Sequence, residues 1–228
     1  MTFLMGTKKN SIYGRKLGCS ALALLTICWP VQTWPDDGAP FSARVVRVTG
    51  AVRCSIDGRP WQTLKADDLI KAGTVVQTAK TKATVDIQLG TGGSADANFV
   101  RLFENSGLAV KKLVSKGSGN DRVEEVELNL LSGQILGVVN KTAAASKCDV
   151  SFPNGIASVR ADLADSKGTV YVLNSSGVVK VLAGKIGIVL VSDNPAAQMV
   201  SAEEQFDPAT GQITRLPPDA PERKLYHF

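Results

Sequence analysis

Along most of the chain apolar and polar residues alternate one for one, the period of a strand with one buried face. From Val46 to Ile56 the even positions are Val46, Val48, Gly50, Val52, Cys54 and Ile56, and the odd ones Arg47, Thr49, Ala51, Arg53 and Ser55. The pattern sends the even set inward. Ala83, Val85, Ile87 and Leu89 alternate with Thr84, Asp86 and Gln88; Val126, Leu128 and Leu130 alternate with Glu127 and Asn129; Ile186, Ile188 and Leu190 form a further row. A helix would need apolar partners three and four apart, and these segments lack that spacing. Only Trp61 to Lys71 hints at a helical turn, and there Leu64 with Asp67-Asp68 fits a loop between strands equally well.

Turn chemistry agrees with strands. Asp57-Gly58 and Asn154-Gly155 are dipeptides that supply the positive φ of tight hairpins, and Gly90-Thr91-Gly92-Gly93 suits a longer connection. An internal echo places Leu131-Ser132-Gly133-Gln134-Ile135 against Leu182-Ala183-Gly184-Lys185-Ile186, with Lys71-Ala72-Gly73-Thr74-Val75 as a looser copy. Each sets a glycine before a strand, which suits chains that bend or change sheet at a bulge. Gly50, Gly73, Gly133 and Gly184 are therefore the candidate structural turns. The expected fold is all-β, a β-sandwich or short β-solenoid of antiparallel strands with glycine turns.

The first segment reads differently. Lys8, Lys9, Arg15 and Lys16 precede an apolar run from Leu17 to Trp29 and then Pro30, the n-region and h-region of an export signal. That run gives roughly 20 Å of helix, short of the roughly 30 Å of a bilayer's hydrocarbon, so cleavage is favoured over anchoring. The triplets Val31-Gln32-Thr33 and Asp37-Gly38-Ala39 are mediocre cleavage sites, and an uncleaved leader would attach the protein to a membrane. Leu25-Thr26-Ile27-Cys28 puts bulky Ile27 where a lipidation site wants a small residue. The chain divides into residues 1–34, signal peptide or anchor; 35–44, a lead-in; 45–215, the β domain; and 216–228, a loose proline-containing tail. The expected location is the periplasm or the exterior.

The whole chain carries +5, but the leader's charges are all positive, so the remainder is close to neutral. Nucleic-acid binding needs clustered Lys and Arg to displace counterions, and is set aside. The densest basic spot, Lys111-Lys112 to Lys116, reads as a solvated loop. The one histidine, His227, stands next to last, which removes most imidazole-based hydrolysis and metal chemistry. Asp67-Asp68, Glu124-Glu125 and Glu203-Glu204 could be acid/base pairs, but neighbours in a strand point to opposite faces. Gly90 to Gly93 lacks the lysine and Ser/Thr of a phosphate loop. The reading is of a non-enzyme with no catalytic residue, cofactor or metal.

Cys19 and Cys28 belong to the leader, leaving Cys54 and Cys148 on apolar registers in the body. In an oxidising compartment they are a candidate disulfide; the alternative is two separate buried thiols. Asn140-Lys141-Thr142 and Asn174-Ser175-Ser176 fit the glycosylation pattern and read as loops. Trp61 is a candidate partner contact whose commoner role would be a lid over the core. Arg160, near Asp162, Asp165 and Lys167, either holds a loop by an ion pair or contacts a partner.

The order of these segments also carries a family resemblance. Val48-Thr49-Gly50-Ala51-Val52, Trp61, Ala72 to Thr78 and Ala83 to Leu89 resemble the opening of the FecR-type periplasmic domain. Val126 to Ile135 is similar to its middle strand pair, and Phe152 to Arg160 to its third block. Gly177 to Ile188 with Gln205-Phe206-Asp207-Pro208-Ala209-Thr210-Gly211-Gln212 is similar to its end. The likeness spans about residues 45 to 215. It departs at Ala161-Asp162, where glycine-threonine is usual, and at Glu203, where glycine is usual. The resemblance implies a non-catalytic exported domain that binds or scaffolds an envelope protein or polymer. Its alternative is the sensory half of a split cell-surface signalling system working with a separate membrane regulator. The roughly 16 residues before the apolar run are too few for a folded cytoplasmic module.

Overall fold

In the computed structural model the described residues are 38–90, 98–117, 122–140, 146–160, 168–191 and 196–226. The leader, with Cys19 and Cys28, lies outside them, as do Asp162, Asp165, Lys167 and His227. The strands are β1 (Ala39–Pro40), β2 (Ala43–Thr49), β3 (Val52–Ile56), β4 (Gln62–Thr63), β5 (Leu69–Ile70), β6 (Thr74–Thr78), β7 (Thr84–Leu89), β8 (Asn98–Leu102), β9 (Gly107–Lys116) and β10 (Val123–Ser132). They continue with β11 (Gln134–Val139), β12 (Lys147–Phe152), β13 (Gly155–Arg160), β14 (Thr169–Asn174), β15 (Val179–Ala183), β16 (Lys185–Leu190), β17 (Ala197–Ser201), β18 (Glu204–Asp207) and β19 (Gln212–Arg215). A 3₁₀ turn spans Pro221–Tyr226.

The strands form two sheets. The first runs β17-β16-β13-β12-β10-β9-β6-β3-β4, with β1 paired to β9; the second runs β19-β18-β15-β14-β11-β8-β7-β2-β5. The chain passes from one sheet to the other repeatedly, and the inner faces share one core that includes Val45, Val85, Leu108, Leu128, Ile135, Val150, Leu173 and Phe206. The fold is an all-β sandwich. Pairing is antiparallel except between β10 and β12, which run parallel because β11 departs to the second sheet between them. Trp61 to Lys71 holds no helix, only β4, a turn and β5.

Two departures from the alternation have local causes. Val46 is exposed because a bulge between Val45 and Arg47 inserts a residue opposite β7, so Val45 takes the inward place. The run from Val46 to Ile56 is two strands in different sheets, joined at Gly50-Ala51. In the β12–β13 hairpin the two loop residues are Pro153-Asn154, flanked by the pair Phe152 and Gly155, and neither Asn154 nor Gly155 has positive φ. Proline at the first loop position favours the ordinary type I turn instead.

A recurring corner explains the sequence echo. Where β10 crosses to β11, Gly133 has φ +76°, the Gln134 amide donates to Ser106 Oγ at 2.9 Å, and that hydroxyl donates back to the Gln134 carbonyl at 3.1 Å. Where β15 crosses to β16, Gly184 has φ +73°, and Thr169 Oγ1 bonds both the amide (3.4 Å) and the carbonyl (3.3 Å) of Lys185. A third corner, from β8 to β9, uses Asn105 at φ +54°, with Thr78 Oγ1 bonding the amide (2.9 Å) and carbonyl (3.2 Å) of Ser106. The hydroxyl stands in for a strand partner while the backbone turns between layers. A Cβ at Gly133 would lie 2.6 Å from the Asn105 carbonyl oxygen, and one at Gly184 would lie 2.7 Å from that of Gly168. Gly50 (φ +68°) and Gly73 (φ +87°) also stand between strands of opposite sheets.

Residues 216–226 of the C-terminal segment are not a loose tail. Leu216 and Ala220 are buried, and Leu225 packs on the outer face of the second sheet against Leu136, Val170 and Val172. Lys180 Nζ meets Glu222 Oε1 at 2.6 Å, and Arg223 pairs with Glu203 and donates through Nε to the Pro217 carbonyl at 3.1 Å. Glu203 itself has φ +67° where β17 passes to β18. Within the lead-in, Ala39 and Pro40 pair with Ser115 and Val114.

Candidate functional site

Cys54 and Cys148 do not form a disulfide; both thiols are free. They belong to the same sheet, on β3 and β12, four strand positions apart, which is about 19 Å at an inter-strand spacing of ~4.8 Å. A disulfide needs Cα atoms within about 7 Å. Cys148 is buried between the sheets, where the Tyr171 hydroxyl donates to its sulfur. Burial first, then the Asp149 charge, pushes this thiol up to about 12, against the lowering effect of the Tyr171 bond. The same burial raises Tyr171 well above the ordinary phenol range, with Cys148 and Asp149 adding to it. Tyr171 fits because its register partner is Gly137, where a Cβ would lie 2.6 Å from the phenol oxygen. Cys54 is half-buried and raised by burial, then by Asp68.

The carboxylate pairs do not converge. Glu124 is buried, its amide taking Ser146 Oγ as acceptor, whereas Glu125 faces outward to Lys112 at 2.5 Å. The Lys112 hydrogen bond lowers the Glu125 carboxyl, burial opposes this, and the charges of Lys112, Lys116 and Lys147 reinforce it. Asp67 pairs with Arg44, while Asp68 accepts from the Lys65 amide. Glu204 accepts from the Ser201 amide. Among the described residues no three His, Cys, Asp or Glu side chains gather as a metal site. No helix of these residues is long and apolar enough to cross a membrane.

Arg160 ends β13, exposed and opposite Lys147 of β12. Trp61 is no lid over the core. It is 42% exposed on the outer side of the first sheet, with the Arg53 guanidinium 4.6 Å from its ring centroid. Arg53 in turn donates to Gln77 Oε1 through Nη2 (2.9 Å) and Nε (3.2 Å). The two residues are register partners on β3 and β6, and the same row continues from Thr63 on β4 to Gly107 on β9 and Ser132 on β10. A groove of about 600 Å³ follows this row, bounded by the crossing turns at Ala51, Ala79-Lys80 and Asn105.

Both ends of the sandwich finish in edge strands, the two-residue β4 and β5 at one and the longer β17 and β19 at the other. Among the described residues β17 has one strand neighbour, β16, and β19 has one, β18, so both sheets end there in edge strands, with the Ser201 amide of β17 bonded to Glu204. β17 packs against β15 and β18 of the second sheet, which places the two edges at one end. On the outer face leading to it, Ile156 and Val189 are register partners, and Met199 of β17 lies diagonal to Val189; all three are exposed. Every residue of β19 is exposed, Ile213 included. Sequence reading singles out none of these positions except Trp61 and Arg160. Arg53 is visible only as a polar alternate of the first run, and edges depend on pairings that one sequence does not specify.

No protein-family model, curated protein or solved structure matches the chain.

Proposed function

We propose that this chain is an exported, non-catalytic module of FecR type that binds an envelope protein by accepting an extended segment at the β17 and β19 edges. The observation that carries the reading is the coincidence of these two edge strands at one end with the exposed apolar row of Ile156, Val189 and Met199. An edge strand presents a row of unpaired amide and carbonyl groups, and natural proteins ordinarily blunt such edges with charge, proline or cover. Ala197–Ser201 carries no charge and no proline. A strand added there gains main-chain hydrogen bonds, and its alternate side chains extend the apolar row. The order of FecR-like segments, with the export leader, supports the envelope as the place of work.

The test is a photo-cross-linking residue at position 199, compared with one at position 112 on the charged outer face, in intact cells. An adduct with one defined envelope protein from position 199 and not from 112 is expected, and Met199→Lys in the unlabelled protein should abolish competition for it. Equal adducts from both positions, or none from 199, would reject the reading.

A further inference from the structure

We infer a second recognition site at the other end of the sandwich, the groove beside Trp61, whose ligand is an acidic polysaccharide segment. The row Thr63, Arg53, Gln77, Gly107 and Ser132 crosses five adjacent strands of the first sheet, a length of about 19 Å over four inter-strand spacings. That length accommodates a short oligomer rather than a single small molecule. Gly107, the fourth of the five positions, contributes no side chain, so the row dips between Gln77 and Ser132: a Cβ there would lie 3.1 Å from Ser132 Oγ and 3.9 Å from the Gln77 side chain.

The chemistry of the lining selects the class. Beside the small apolar Ala51, Val52 and Ala79, its side chains offer hydroxyls and amides, two cations, Arg53 and Lys80, and no carboxylate. Gln77 fixes two guanidinium nitrogens of Arg53 and the Trp61 ring flanks it, so the cation is held in place before any ligand arrives. A guanidinium held in this way suits a carboxylate of the ligand. Trp61 stands outside the lining, against Arg53 at its rim, and keeps exposed ring surface for the apolar face of a pyranose that extends beyond the groove, while Thr63, Gln77 and Ser132 of the lining supply hydrogen bonds along a polyhydroxylated chain. An acidic peptide would need apolar pockets for alternate side chains, and the row has none. A nucleic acid would need a basic stripe, which a nearly neutral body does not provide.

The site stands apart from the β17 and β19 edges, so the two readings fail separately. The experiment is calorimetric titration of the exported chain with oligogalacturonate, with an uncharged cello-oligosaccharide of equal length and with polyglutamate. Oligogalacturonate is expected to bind, more weakly as salt rises. Trp61→Ala and Arg53→Gln should each weaken it about tenfold, Trp61→Phe should retain most of the affinity, and Met199→Lys and Arg160→Ala should leave it unchanged. Both weakening substitutions are at the surface, and an unaltered thermal midpoint shows the fold intact. Equal affinity for the uncharged oligosaccharide, binding of polyglutamate that is indifferent to Trp61→Ala, or no binding of oligogalacturonate would each overturn the proposal.

Discussion

At the corners between sheets, single residues decide whether the backbone can change layer. Gly133 combines a left-handed φ with close approach to Ser106 and Asn105, so Gly133→Ala should cost about 2–3 kcal/mol, from the conformation and from displacement of the Ser106 bonds. Gly211 has φ +67° but open space around its Cα, and Gly211→Ala should cost only about 1 kcal/mol. Urea unfolding of both variants checks the difference; equal losses would show that the hydroxyl corner contributes nothing. The glycines of the echo are plain in the sequence, but Ser106 and Thr169, which meet them, lie 27 and 15 residues earlier, so their role appears only once the sheets are assembled.

The buried thiol gives a second prediction at this scale. Cys148 ionises near 8.5 when unfolded and only at about 12 when folded, so between those values the unfolded chain has lost a proton that the folded chain keeps. Its contribution to stability is whole below pH ~8.5 and falls as pH rises through that window, at up to about 1.4 kcal/mol per pH unit. Cys148→Ser should flatten this decline in denaturation midpoints measured from pH 7 to 10.5; an unchanged slope would contradict the assignment. Alkylation in urea without reductant should label both Cys54 and Cys148, whereas a cross-linked peptide containing both would contradict the free thiols. The apolar registers of the two cysteines were legible, but their separation depends on sheet order, which periodicity does not encode.

Among elements, the inward rows of β7 and β10 are read directly from the alternation, because a half-buried strand repeats every two residues. The bulge in β2 and the parallel entry of β12 follow from how strands pair, and neither leaves a mark in the period. The C-terminal 3₁₀ turn was hidden because its apolar partners are few: Leu225 covers Leu136, Val170 and Val172, while Glu222 and Arg223 fasten it through Lys180 and Glu203. Leu225→Ala should therefore lower stability by about 1 kcal/mol, the loss from a half-buried leucine, measured by thermal or urea unfolding. No change would mean that the turn covers nothing the fold relies on.

The described body is a sandwich with unlike ends. One end finishes in the two-residue strands β4 and β5 and carries the groove lined by Arg53, with Trp61 against that guanidinium; the other finishes in the longer strands β17 and β19. A body of this form suits the two contacts proposed, one at each end, and the charged outer face of β9, β10 and β12 between the ends is internally neutralised by Lys112–Glu125 and Lys147–Glu127 pairs. Hydrogen exchange of the chain alone and bound to whatever protein the cross-link at position 199 captures tests the proposed edge binding most directly. Protection gained in β17 and β19, with β10 and β12 unchanged, is the result expected; protection spread over the charged face, with the two edges exchanging as before, would contradict it.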